Sequence, residues 1–208
     1  MQMEKIMFND KYGLTKAVLE GRKTMTRRII KAPKKMEGKD VYGFAVVRKP
    51  GSNEVIEVFA TDADGATINN ILPTYKVGEV VAVAQAYKDT CWTSPVLRLK
   101  DKLGWSNKMF VYAGLMPHQL RITNVRVERL QDISDEDCLR EGIITCNCKT
   151  YFNGYAYDWC YDQDGNILAA RWYKTPRESF AALIDKVSGK GTWASNPFVF
   201  VYEFELVK

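Results

Sequence analysis

The chain carries one histidine, His118, among 208 residues. Any Ser-His-Asp chemistry would rest on that imidazole alone, and no G-x-S-x-G elbow accompanies it. Neither a P-loop nor a Rossmann glycine pattern occurs, which removes the common nucleotide-cofactor readings. No apolar run approaches the ~20 residues that cross a bilayer, so no membrane partner is expected. The opening residues, MQMEKIMFND, lack the long apolar stretch of a signal peptide, so the expected location is cytoplasmic. The five cysteines are an odd number, which argues against a disulfide framework. Repeats and low-complexity linkers are absent as well. One domain, 1–208, built around one core is the expectation.

Metal-binding patterns are equally thin. Cys146-Asn147-Cys148, with Cys138 and Cys160, has C-x-C rather than C-x(2–4)-C spacing, and no histidine lies near. Asp162, Asp164 and Asn166 begin like a calcium loop. Its glycine comes two positions early, however, and Tyr173 stands where the bidentate glutamate belongs. A hairpin turn is expected there, and neither a metal nor a cofactor is assigned.

Acid is scarce in one place. Residues 21–39 hold eight basic residues and only Glu37 against them, a net +7, while the whole chain is +5. The basicity is therefore local. Such a patch suits a phosphate-bearing or other anionic partner, with a solvated lysine-rich turn as the plainer reading. Its densest part is Gly21-Arg22-Lys23-Thr24-Met25-Thr26-Arg27-Arg28.

The hydrophobic pattern predicts strands at 4–9, 41–49, 53–62, 79–87, 120–130 and 197–207. Leu14, Ala17 and Val18 predict a short helix ending at Gly21. Ser134-Asp135-Glu136-Asp137 is a capping box for a helix closing at Gly142. Phe180, Leu183, Ile184 and Val187 mark a helix within 167–188, with Pro176 starting its second part. In 120–130 neither face is purely apolar. Leu120, Ile122, Asn124, Arg126, Glu128 and Leu130 share one side, which carries polar residues to a functional or wet surface. Segments 88–110 and 145–166 read as insertions. Their aromatics, Trp92, Trp105, Tyr151, Tyr155, Tyr157 and Trp159, either stack on bases or pack the insertions down. Phe198, Phe200, Tyr202 and Phe204 alternate on the last strand and read mostly as core. Many strands with few helices between them argue for an α+β domain around a curved sheet or small barrel.

GRKTMTRR at 21–28, Lys76-Val77-Gly78-Glu79, VRVERLQDISDEDCLREGI at 125–143 and Trp193–Phe198 together resemble the ASCH family of the PUA-like superfamily, in particular its prophage-type members. The resemblance covers both ends and the middle of the chain but neither insertion. It implies a small β-barrel with flanking helices, whose cleft binds RNA or a modified nucleoside. Small ASCH members are amidohydrolases that remove the acetyl group from N(4)-acetylcytidine. Their functional lysine, threonine and glutamate match Lys23, Thr26 and Glu141. Arg22, Thr24, Arg27, Arg28 and Gln85 are the ligand-contacting candidates that go with them. Other members are proposed RNA binders, and some are reported to cleave RNA. A phage-associated accessory or assembly role is the alternative from another class. One departure stands out: relatives carry a V-R-E-T-W-like strand where this chain has Val83-Ala84-Gln85-Ala86-Tyr87, so a carboxylate becomes Gln85.

Amide hydrolysis needs a nucleophile, a base and a way to stabilise the oxyanion. Lys23 serves as base if its neighbouring arginines lower its pKa. Thr26 serves as nucleophile or positions a water, and Glu141 orients Lys23 or moves a proton. Lys23 and Thr26 would fall on opposite faces of an ideal strand, so a turn or bulge must intervene. Glu141 is locally out of place, because a helix C-terminus disfavours a carboxylate by up to about 1 kcal/mol.

Overall fold

The computed structural model describes all residues except 1–2, 32, 52–54, 91–98, 149–151, 158–159, 162–166, 169–170 and 208. In chain order the elements are β1 (Lys5–Ile6), α1 (Leu14–Leu19), β2 (Met25–Ile29), β3 (Lys35–Met36), β4 (Lys39–Asp40), β5 (Gly43–Arg48), β6 (Val55–Thr61), β7 (Thr67–Asn70) and β8 (Val80–Val83). They continue with β9 (Gln119–Arg129), α2 (Asp135–Arg140), β10 (Ile144–Cys148), β11 (Phe152–Ala156), β12 (Cys160–Tyr161), β13 (Ile167–Leu168), α3 (Pro176–Ser188), α4 (Thr192–Ser195) and β14 (Phe198–Leu206).

The architecture is mixed α+β with a sheet-rich core. The main sheet runs β1-β8-β9-β14-β2, and β6 joins β9 at Val55 and carries β5 and β7 beside it. β14 is the centre. Val199 and Val201 on one face are buried, as are Phe198, Phe200, Tyr202 and Phe204 on the other. A strand covered on both faces needs this near-continuous apolar run. Among the described residues no helix is long and apolar enough to cross a membrane.

The expected small barrel does not close. Among the described residues the pairing path ends at β1 and β2 without joining them. The two edges meet through a side chain instead: Arg28 on β2 donates to the carbonyl of Met7, just beyond β1, at 2.5 Å. Ladder pairing needs two strands running side by side, and β1 is only two residues long. Past it, Asn9 caps a short 3-10 turn at Asp10–Tyr12, which turns the chain away.

Several boundaries move for local reasons. The helix expected within 167–188 begins at Pro176, with Thr175 accepting from the Glu178 N–H and proline at the first turn. The basic stretch contains a hairpin, β3–β4, that its charge gave no reason to expect. The 145–166 insertion contains the β10–β11 hairpin, whose register is Cys146 opposite Gly154. The other insertion, 88–110, carries 3-10 turns at 103–105 and 108–110, a third follows at 113–115, and beside them Tyr87, Val111, Ala113 and Met116 belong to a small second core. Trp92, Tyr151 and Trp159 lie outside the described residues, as does the calcium-like Asp162–Asn166 turn. Of the other insertion aromatics, Tyr155 and Tyr157 pack on the main core and Trp105 on the small one.

Candidate functional site

β2 sits at the sheet edge, so one side of its backbone is open. Around that free edge lies a cavity of about 490 Å³, whose polar lining is Lys23, Thr26, Arg27, Arg28 and Glu141. Much of the rest is apolar, with Phe8, Leu14, Phe180, Leu183 and Ile184. This size and mixed lining suit a small organic ligand.

Lys23 reaches the cavity because it precedes the strand. α1 ends in a turn at Gly21 with φ +72°, and the Lys23 N–H then donates to the Ala17 carbonyl at 2.9 Å. Next, the Thr24 N–H donates to the Arg140 carbonyl at 2.9 Å, satisfying one of the orphan carbonyls at the end of α2. β2 begins only at Met25, so the turn required between Lys23 and Thr26 is present. Gly142, at φ +102°, lets the chain leave α2 close to the lysine; a β-carbon added there would lie 3.6 Å from Lys23 Cβ. Any other residue would be strained at this φ, although a β-carbon would find ordinary contact distances there.

Lys23 is 3% exposed. Its ammonium donates to Glu141 Oε2 at 2.5 Å and to the Glu141 backbone carbonyl at 2.8 Å. Burial pushes the Lys23 pKa below the ordinary lysine value. Glu141 opposes that shift, while Arg28 and Arg27 add to it. The expected misfit of Glu141 is thereby resolved. It is the C-cap of α2, and two cations hold its carboxylate in place of water.

Arg27 belongs to a different system. Across β2, β14 and β9, one face presents Arg27 beside Val201 beside Arg126, with Glu203 and Glu128 in the flanking rows. The small Val201 leaves room for the guanidinium to cross the central strand. Arg27 donates to Glu128 Oε1 at 2.9 and 2.7 Å, to Asp137 Oδ2 at 2.8 Å and to Glu141 Oε1 at 3.2 Å. Arg126 pairs with Glu128, Asp137 and Glu203, and Arg140 with Asp137 and Glu203. Four cations and four carboxylates thus alternate through a half-buried network. Its carboxylates keep the Arg27 pKa above the ordinary value against the opposing effect of burial. The Asp137 carboxylate goes to these arginines, while Ser134 caps the helix by accepting from the Asp137 N–H at 3.1 Å.

Thr26 alternates to the opposite face from Arg27, opposite Tyr202. It is buried, and among the described residues its hydroxyl has no hydrogen-bond partner. Arg28 shares that face; it is exposed and lies over the Phe8 ring with its guanidinium carbon 5.8 Å from the centroid. The Lys23 ammonium approaches the same ring, 5.9 Å from the centroid.

Three ligand-contact candidates stay outside the cavity lining. Arg22 is exposed and bonded to Glu20 at 2.7 Å. Thr24 accepts from Arg140 at 3.4 Å. Gln85 is buried beyond β8, with its N–H near the Met116 sulfur at 3.3 Å and its Oε1 unpartnered among the described residues. Residues not among the site candidates complete the arrangement: Phe8 and Lys31 line the pocket, and Glu128 and Asp137 act on it through Arg27. Lys31 was visible only as one more charge in the basic run. His118 sits just before β9, where its carbonyl accepts from the Val83 N–H at 2.9 Å. Among the described residues, no group of three or more His, Cys, Asp or Glu side chains could hold a metal ion. Cys138 is buried, and burial raises its thiol pKa to about 12.

In comparisons with protein-family models, curated proteins and solved structures, none matches the chain.

Proposed function

We propose that the chain is a hydrolase of the ASCH type, with the open sheet as its version of the PUA-like architecture. Its substrate is the exocyclic amide of an acylated nucleoside such as N(4)-acetylcytidine. The observation that carries this reading is the convergence of Lys23, Thr26 and Glu141 on one cavity, although residues 26 and 141 lie far apart in sequence.

In this reading Lys23 passes a proton to the Glu141 carboxylate it contacts, and the Thr26 hydroxyl then attacks the acyl carbon and passes its own proton to the neutral amine. The carbon–nitrogen bond breaks, and the proton moves on to the leaving exocyclic nitrogen. Water then cleaves the threonyl ester, releasing acetate and restoring the hydroxyl. Burial favours the neutral amine that the first step needs, and the unpartnered hydroxyl of Thr26 is free to act. Glu141 holds Lys23 in place and offers a second proton acceptor. Antiparallel alternation turns the Arg27 backbone N–H away from β14 and toward the open edge. There it can donate to the developing oxyanion.

RNA binding along the whole 21–39 segment draws less support, because Lys23 and Arg27 are already neutralised by carboxylates. The test is incubation with N(4)-acetylcytidine and chromatography for cytidine. Turnover by the wild type, and its loss in Lys23→Met, are expected. No turnover, or equal turnover in both, defeats the proposal.

A further inference from the structure

The four cations that line the cavity fall into two kinds. Lys23 and Arg27 are buried and paired with Glu141, Glu128 and Asp137. Arg28 and Lys31 are exposed, and among the described residues neither has a carboxylate partner. Arg28 spends one donor on the Met7 carbonyl, and its Phe8 contact restrains the guanidinium plane. A guanidinium has five N–H donors, so most of its fork stays available. Lys31 makes no hydrogen bond or ion pair with any described side chain and adds a second positive charge at the same cavity.

Depth orders these residues. Lys23 and Thr26 are buried, and Arg28 and Lys31 follow along the same strand and its exit toward solvent. A ligand whose amide reaches Thr26 therefore has its opposite end beside Arg28 and Lys31. In a nucleoside acylated on the exocyclic nitrogen, the group farthest from the amide is the ribose 5′ position. A neutral 5′-hydroxyl leaves two uncompensated cations unused, whereas a phosphate meets both with charge-assisted hydrogen bonds.

We infer that the cavity mouth formed by Arg28 and Lys31 is a phosphate subsite, so that the cavity holds the phosphorylated form of its nucleoside more tightly than the neutral one. The assignment of the deep end to the base rests on the function proposed above. The phosphate can belong to a free mononucleotide or to a residue within an RNA chain.

The experiment is equilibrium binding of unacylated cytidine, cytidine 5′-monophosphate and a short unstructured cytidine-rich RNA, so that no turnover is needed. Wild type is expected to bind the monophosphate about tenfold or more tightly than cytidine. That preference should fall with added salt. In Arg28→Gln/Lys31→Gln the ratio should collapse toward one, while Arg22→Gln, a charge loss of the same kind outside the cavity lining, should retain it. Tighter binding of the RNA than of the monophosphate assigns the phosphate to a chain, and equal or weaker binding assigns it to the free nucleotide. Equal affinity of wild type for cytidine and its monophosphate overturns the inference. So does a preference that survives the double substitution, or no binding of the monophosphate at millimolar concentration. Failure of the hydrolase reading would show separately, as phosphate-dependent binding without turnover of any acylated form.

Discussion

Between residues 21 and 31, Lys23 and Arg27 are buried against carboxylates, while Arg22, Arg28 and Lys31 reach solvent. The residue types are the same in both groups. Their roles are set by what the fold brings opposite them. The inner pair has lost its free charge and gained fixed geometry, which is what a base or a positioning group needs. The outer cations keep an open charge, which is what anion capture needs. A +7 segment is thus much less electropositive in three dimensions than its sequence implies.

The widest contrast should come from Glu141→Ala. It leaves the Lys23 ammonium buried with no carboxylate, so a loss of about 3–5 kcal/mol in urea unfolding is expected. Arg27→Lys keeps the charge but cannot reach Glu128, Asp137 and Glu141 together. A loss of about 2 kcal/mol is expected by the same measurement. The pH dependence sharpens the comparison further. With the Lys23 pKa depressed in the folded state, the unfolded chain binds more protons between that value and the ordinary 10.5. Stability should therefore rise with pH across that window, and Lys23→Met should flatten the rise when unfolding is followed from about pH 7 to 10. Arg22→Ala removes only an exposed pair with Glu20, and its melting curve should shift by no more than about 0.5 kcal/mol. A large loss there would erase the distinction between inner and outer cations.

The strands were legible where alternation or an apolar run was strong. Gln119–Arg129 and Phe198–Leu206 fall within a residue or two of expectation. The helix after Ser134 was legible from its cap and from Gly142. Barrel closure was not, because it depends on whether two distant edges have enough length to pair. The start of α3 was readable from Thr175-Pro176, but the preceding apolar residues blurred it. Lys23, Thr26 and Glu141 came from the family resemblance, and the cavity joins them. Arg27 could not be read correctly from local sequence. Its carboxylates lie more than 100 residues away, and they reach it only through the β2–β14–β9 register and the small Val201 between the strands. Gln85 came from the family resemblance, as the residue in place of the relatives' carboxylate, and its side chain does not line the cavity.

The most direct measurement is turnover of N(4)-acetylcytidine by Thr26→Val compared with wild type. The substitution preserves shape and removes a hydroxyl for which no described residue is a partner, so the melting temperature should hold. Activity should fall by at least about a hundredfold. A folded Thr26→Val protein with wild-type turnover would contradict the assignment of this cavity as a hydrolytic site.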